Sequence, residues 1–362
     1  MILNTLRRYI FYKFSKILIN ITLIFFTFGI ILNLFEEINF FKDLNVSFIM
    51  PIALSFLKVP SVVYNIFPFI FLISSIVLFL SLIQSEEINA IKITGISNFR
   101  IIIFPTIIAL IFGMIIALGF STITAKLTHK YLDIKNSYTE KNNFLAALTE
   151  NGIWIKDVIN ENKNIIRARR LKGSSLEKLT IYQFNKDNEN VLRIESTSAD
   201  ISKKEWKLHN AKIYFQNEND KPNIFKEYYF FTNFDVSGLK NLFSDLESIS
   251  FWEMKKLKEN YINLGYSTKE LDSKFQKSLS YPFFLMSMTL LAGVVVMNIR
   301  FRGNYIGYIF LSVFLSVLIF YLSDFSKALG ETEKISLIMS VWTPVITVFI
   351  FSSIGMIYIN EK

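Results

Sequence analysis

Three long apolar stretches open the chain and three close it, and the region between the two sets has none. Crossing the hydrocarbon core as a helix takes roughly 20 mostly apolar residues. Ile17–Phe35, Val59–Ile83 and Ile101–Thr124 satisfy this at the front, and Leu279–Ile299, Tyr305–Ser323 and Ile335–Ile359 at the back. The expected fold is membrane α-helical, with six transmembrane helices in a 3+3 order and one domain inserted between the halves. The boundaries fall at residues 1–125, 126–277 and 278–362. Val46–Leu57 is also apolar, but only Lys58 and Val59 separate it from the second span, too few to reverse the chain. With Pro51 and Pro60 in it, this stretch reads as a kinked or interfacial helix leading into that span.

Composition restricts the chemistry. The hydrophobic fraction is 52%, with 37 Phe, and the chain has no cysteine, which removes disulfides and thiolate metal or redox sites. The two histidines, His129 and His209, are too few and too far apart for a zinc site, so no metal is expected. Met1–Lys16 carries four basic residues, but the apolar run after it is long and lacks a small-residue cleavage site, so the first span is expected to be retained.

Lys and Arg collect in short cytoplasmic loops. Arg7, Arg8, Lys13, Lys16, Lys92, Arg100, Arg300, Arg302 and Lys362 fall on one side. The opposite short loops hold Lys42, Lys58, Lys327 and Lys334, accompanied by Glu36, Glu37, Asp43, Asp324, Glu331 and Glu333. Both termini are therefore expected in the cytoplasm and the inserted domain outside it. The formal charge of +9 calls for no nucleic-acid partner. Ile2, Leu3, Leu6, Tyr9, Ile10 and Phe14 recur at helical spacing, which suits either a helix on the membrane surface before the first span or an ordinary basic flank.

The inserted region reads as β. Gly152–Lys156, Asn164–Arg169, Leu176–Phe184, Val191–Glu195, Glu205–Phe215 and Glu227–Phe234 are rich in β-branched and aromatic residues. Polar clusters such as Lys186–Asn190 and Asn217–Pro222 punctuate them, a pattern pointing to an all-β sandwich or jelly-roll-like domain. Ser250–Lys277 then reads as helical, with Phe251, Met254, Leu257, Tyr261 and Leu264 on one face. No Walker-type phosphate loop, nucleophile elbow or HExxH pair occurs, so no catalytic residue is assigned. If ATP drives this protein, the nucleotide belongs to another chain.

Ser85–Arg100, SEEINAIKITGISNFR, is the most telling short loop. Glu86 and Glu87 precede Ile88 and Ile91, Gly95 is placed to stop a helix, and Ser97-Asn98 to start the next. A helix of about residues 86–97, caught between two spans, suits either a plain connector or an element that a soluble motor subunit pushes.

At these residues the chain resembles the lipopolysaccharide-export permeases of the LptF/LptG (YjgP/YjgQ) family. SEEINAIKITGIS is similar to that family's coupling segment, S-E-[LI]-x-x-[ML]-x-[AS]-x-G-[IF]-S, and Phe67-Pro68 precedes it in the second span. Asn151–Asp157 (NGIWIKD) and Ile181–Phe184 (IYQF) resemble motifs of the G-type member. Phe251–Gly265, Tyr281-Pro282, Leu290–Ala292, Tyr321–Asp324 and Trp342–Pro344 follow in the family's order.

The resemblance implies an LptF–LptG heterodimer in the bacterial inner membrane. It implies two copies of an LptB-like cytoplasmic ATPase, a single-span LptC-like protein and a periplasmic LptA-like bridge as partners, with lipopolysaccharide as substrate. ATP is bound by the ATPase, and this chain is a transport subunit without cofactor. By similarity Glu87 is the coupling carboxylate that faces a basic residue of the ATPase, with Glu86 an additional acid, and Ile88, Ile91 and Gly95 complete the segment. An acyl-rich lipid needs an apolar wall, for which Phe25, Phe26, Phe28, Phe310, Phe314 and Phe320 are candidates. The G-type Lys near the outer end of the first span is missing from Ile31–Glu37, leaving Lys42, Lys58 or Lys327 to substitute; with Asp324 they form the candidate headgroup set. The F-type subunit is the nearest alternative. A secondary transporter is disfavoured by the near absence of ionisable residues inside the spans, and a sensor by a tail of only Asn360–Lys362 after the last span.

Overall fold

Each apolar run becomes the centre of a helix that is longer than the run itself. A computed structural model describes residues 2–42, 44, 46–138, 153–159, 162–172, 174–185, 190–215, 222–232, 234, 246–263, 268–298 and 305–361. Gly152, Leu264, Ile299, Arg300, Arg302 and Lys362, and most of the polar turns between strands, lie outside the described residues. The described helices are α1 (Ile2–Phe41), α2 (Ile49–Gln84), α3 (Glu87–Ile93), α4 (Asn98–Ile115), α5 (Ser121–Ser137), α6 (Phe251–Asn263), α7 (Lys269–Asn298), α8 (Tyr305–Glu331) and α9 (Leu337–Glu361). A π-helical turn, Ile116–Phe120, joins α4 to α5 without a break. Among the described residues six helical stretches are long and apolar enough to cross a membrane, three before the inserted domain and three after it.

Two boundaries differ from those the sequence suggests, and a third agrees. No turn separates Ile2–Lys16 from the first span, because α1 is one helix of 40 residues, about 60 Å long at 1.5 Å per residue. Nothing in that stretch breaks a helix: its first glycine is Gly29, and it has no proline. Val46–Leu57 does lead into the second span, merged with it in α2, where Pro51 sits in the first turn and so forfeits no helical hydrogen bond. Ser250–Lys277 is not one helix but two, α6 and the opening turns of α7.

The chain divides into two compact units, residues 1–128, 250–252 and 269–362 in one, residues 129–249 and 253–268 in the other. In the helical unit α2 and α7 are central, packing on each other, α2 against α1 and α7 against α4 and α9. About two thirds of the most apolar window of α2 and 72% of that of α7 is buried, against 11% for α1 and 17% for α8. Val63, Ile70, Phe71, Phe79, Ile102 and Met288 fill the centre. Gly113 of α4 lets that helix approach α7 closely: a Cβ there would lie 2.7 Å from the Pro282 Cα.

The second unit carries six strands, β1 (Ile153–Ile159), β2 (Asn162–Lys172), β3 (Ser175–Phe184), β4 (Asn190–Asp200), β5 (Glu205–Phe215) and β6 (Asn223–Phe231). They form one antiparallel sheet in the order β1-β2-β3-β4-β5-β6. Such a sequential order follows from short connections, which suffice for antiparallel neighbours. The register stacks isoleucine on isoleucine: Ile155 faces Ile166, which faces Ile181, then Ile194, then Ile213. All five are buried, so one face of the sheet carries a continuous β-branched ladder.

A second row interrupts the pairing. Lys178 of β3 and Asn210 of β5 adopt left-handed backbone, φ 51° and 52°. Neither residue is itself paired, although the pairs on either side, Leu179 and Glu177 in one strand and His209 and Ala211 in the other, keep the same register. The buried side of each strand shifts there by one position, from Leu176 to Leu179 and from Leu208 to Ala211. The local left-handed turn keeps apolar side chains buried at both ends of each strand. Trp206 closes the core, fully buried, its indole Nε1 donating to the Phe234 carbonyl at 2.8 Å. Beside it the buried Asp157 carboxylate accepts a 2.6 Å hydrogen bond from Thr232. Tyr261 of α6 packs against the same core.

Candidate functional site

The link between α2 and α4 is built almost residue by residue from local hydrogen bonding. α2 ends at Gln84; Ser85 then turns its hydroxyl back to the Ser81 carbonyl at 2.6 Å. Glu86 takes φ 55°, a left-handed conformation that costs a non-glycine residue about 1 kcal/mol. That reversal lets the Glu86 carbonyl accept from the amides of Asn89 and Ala90, at 3.0 and 3.1 Å, which opens α3. The helix is only seven residues long, Glu87–Ile93, shorter than the 86–97 expected. It stops where the sequence indicated: Gly95 has φ 80°, and its amide returns to the Lys92 carbonyl at 2.9 Å. Ser97 then caps α4, accepting from the Arg100 amide at 3.4 Å.

α3 is anchored on one side and open on the other. Ile88 and Ile96 are buried in the helical core and Ile91 packs against it, whereas Ile93 is 87% exposed. The two acids separate in the same way. Glu86 is exposed. Glu87 turns inward, its Oε1 accepting from Lys13 Nζ of α1 at 3.1 Å and from the Ser85 hydroxyl at 2.8 Å. The other oxygen, Oε2, is buried. Burial pushes the Glu87 carboxyl up, but hydrogen bonding from Ser85, Lys13 and Tyr9 outweighs it and holds the group below the usual carboxylate range. The Lys13 ammonium also lies over the Tyr9 ring, 5.4 Å from its centroid. Lys13 entered the sequence reading only as an orientation charge. Its spacing of four from Tyr9 places both on one helix face, but nothing local in the sequence indicates a partner 74 positions away.

The apolar candidates do not gather into one wall. Phe25 and Phe26 of α1 are partly buried against the helical core. Phe28 of α1 is 58% exposed, and Phe310, Phe314 and Phe320 of α8 are exposed as well. The least buried spans, α1 and α8, thus present unpartnered apolar faces within this chain. Of the headgroup candidates, Lys42 is exposed just after α1 and Lys58 is half-buried within α2. Asp324 and Lys327 are exposed on α8, where the Lys327 ammonium lies 3.5 Å from Glu331. Two cations that had no assigned role come together instead. Lys269, at the start of α7, is ion-paired with Glu333, and both line a shallow cavity of about 310 Å³ that also includes Lys334 and Ser336.

Among the described residues no group of His, Cys, Asp and Glu is arranged to hold a metal ion. Among the described residues the chain offers a set of spans, a β unit with a core of its own and a short helix between two spans with Ile93 exposed. No individual curated protein matches the chain. The family model described as lipopolysaccharide export system permease LptF/LptG, however, matches residues 8–358. With six helices able to span a membrane and an antiparallel β domain inserted between the third and fourth, this chain belongs to the LptF/LptG family of lipopolysaccharide export permeases, multi-pass proteins of the inner membrane.

Proposed function

We propose that this chain is the G-type permease of an ATP-driven lipopolysaccharide exporter. It pairs with an F-type permease, with two copies of a cytoplasmic ATPase docked on the α3 segments and a single-span partner alongside. Both termini and α3 lie in the cytoplasm, and the β unit lies in the periplasm, where a bridge protein receives the lipid. The exposed apolar faces of α1 and α8 provide the partner-facing and lipid-facing surfaces, among them Phe28, Phe310, Phe314 and Phe320. Phosphates on the lipid are met by cations at the outer ends of the spans, Lys42, Lys58, Lys269, Lys327 and Lys334. The GIWIKD motif, whose described part Ile153–Asp157 lies on β1, and IYQF, which lies on β3, favour the G-type assignment.

The observation that carries this reading is α3 itself. A seven-residue helix with Ile88 in the core, Ile93 outside and Glu86 exposed at its start would pass a push on its outer face to α2, against which it packs. Membership of the LptF/LptG permease family supports the reading. Extraction of the tagged chain in mild detergent is expected to bring down a soluble ATPase and a second six-span permease. A chain that purifies alone, with neither, contradicts the proposal.

A further inference from the structure

The first sixteen residues carry four cations, and the single helix α1 sorts them into two pairs. Two engage neighbouring elements: the Arg7 guanidinium lies over the Phe104 ring of α4, 5.1 Å from its centroid, and Lys13 pairs with Glu87. Arg8 and Lys16 are exposed, and among the described residues neither has a hydrogen bond or an ion pair. α1 carries no acid before Glu36, so nothing on the helix itself neutralises them. Arg8, Tyr12 and Lys16 recur every fourth residue and so share one helix face, with Tyr12 69% exposed. Ile19 and Leu23, each 58% exposed, continue that face, which turns from cationic to apolar between Lys16 and Ile19.

The stripe has the depth of one leaflet. From Arg8 to Leu23 the helix rises about 22 Å at 1.5 Å per residue, and half a bilayer with its headgroups measures about 20–22 Å. Lys16 falls at the edge of the apolar run that begins at Ile17, the level at which lysine stems and tyrosine rings sit between hydrocarbon and headgroup. α1 is also the least buried of the six spans, so the chain's own helices leave this face open.

We infer that the Arg8–Tyr12–Lys16 face of α1 binds an anionic glycerophospholipid. Arg8 and Lys16 hold its phosphate end, Tyr12 packs between them, and Ile19 and Leu23 receive its acyl chains. Charge selects this occupant. An apolar partner helix laid on the same face would bury two cations without countercharge, whereas an anionic phospholipid brings the countercharge and the acyl chains together. α1 is about 60 Å long and a bilayer with its headgroups about 40–45 Å thick, so the helix has freedom to slide along the membrane normal. A phospholipid gripped at this end fixes its depth. The inference rests on α1 being a span and not on export; that the leaflet is the cytoplasmic one follows from the orientation proposed above.

Because the chain has no cysteine, Asn20→Cys, exposed beside this face, offers a unique position for a fluorophore. The full chain, with any permease that co-purifies, is placed in phosphatidylcholine vesicles containing a small fraction of nitroxide-labelled phosphatidylglycerol or nitroxide-labelled phosphatidylcholine. At about 0.01 M salt, where the screening length is about 30 Å, quenching should report an association constant about thirtyfold higher for phosphatidylglycerol, each free cation supplying about fivefold. Arg8→Gln and Lys16→Gln should each lower that preference about fivefold, and together bring it near parity. The exchange Arg8→Lys with Lys16→Arg keeps both charges and should keep the preference. The parent carries the test even if the neutral variants fail to fold: at about 1 M salt, where screening acts within about 3 Å, its preference should shrink towards parity. A label at Phe35→Cys, exposed at the other end of the span beside Glu36, should show no preference for the anionic lipid. Equal quenching by the two lipids at low salt overturns the inference, as does a preference that survives high salt. Quenching by neither lipid, the result of a partner helix covering this face, overturns it too. So does displacement of the labelled lipid by lipopolysaccharide at lower concentration than by phosphatidylglycerol, which would assign the two cations to the exported lipid. No ATPase is needed in these vesicles, so failure of the exporter assignment leaves this result standing.

Discussion

Replacing Trp206 by alanine should be the most damaging single change in the β unit. The ring is fully buried among Leu208, Phe230 and Phe234, and its Nε1 satisfies the Phe234 carbonyl at 2.8 Å. Truncation empties a large cavity and leaves that carbonyl buried without a donor, a combined loss of about 3–5 kcal/mol. Trp206→Phe keeps much of the packing and loses the hydrogen bond, so its cost should be smaller, about 1–3 kcal/mol. Hydrogen exchange on the full permease reads this directly. Amides of β3–β5 should exchange more than about a hundredfold faster in Trp206→Ala, while those of α2 and α7 keep their protection, because each unit has its own core. Unchanged protection in the sheet would show that Trp206 does not organise it. As a control, Trp252, 64% exposed on α6, should tolerate alanine within about 0.5 kcal/mol.

Within the helical unit, the largest effect is expected at Gly113. A Cβ at this position would sit 2.7 Å from the Pro282 Cα and 3.3 Å from its carbonyl oxygen. These are backbone atoms of a central helix and cannot swing away as a side-chain tip can. Helices in membranes associate largely through such close backbone approaches at small residues. Gly113→Ala should therefore cost about 1–3 kcal/mol as α4 is pushed off α7, and Gly113→Leu more. Monodisperse yield in detergent and thermal unfolding temperature should both fall in that order. Gly119, a few residues on in the π-helical turn, has nothing within 4 Å of its hypothetical Cβ. Gly119→Ala should be near neutral, which separates a packing effect from a general intolerance of this helix to alanine.

Much of this architecture is legible in the amino-acid sequence itself, because bilayer thickness imposes a length on apolar runs that few other contexts share. Among the described residues the six spans and five of the strands fall close to where hydropathy and β-branched enrichment place them, the sixth strand starts four residues earlier, at Asn223, and Gly95 and Ser97 punctuate the coupling segment as their chemistry requires. The differences have physical causes. Polar, helix-compatible residues continue a helix beyond its apolar stretch, so α1 reaches back to Ile2 and the third span runs on through α5 to Ser137. The left-handed positions at Lys178 and Asn210 depend on how neighbouring strands bend together, and lysine gives no local sign of such a backbone. The candidate site is legible as a segment but not as a geometry. Adjacency in sequence puts Glu86 and Glu87 in one role, whereas the turn at Glu86 separates them. The partner of Glu87 depends on the crossing of α1 against the rest of the bundle, which no local pattern encodes.

Lipid release from proteoliposomes tests the central assignment most directly. Vesicles would hold lipopolysaccharide and this chain with its co-purifying permease and ATPase, with a soluble periplasmic acceptor outside. Transfer of lipopolysaccharide to the acceptor should require ATP and the ATPase, and should fall to background when this chain is omitted. Transfer that proceeds without ATP, or that continues undiminished without this chain, would contradict the account.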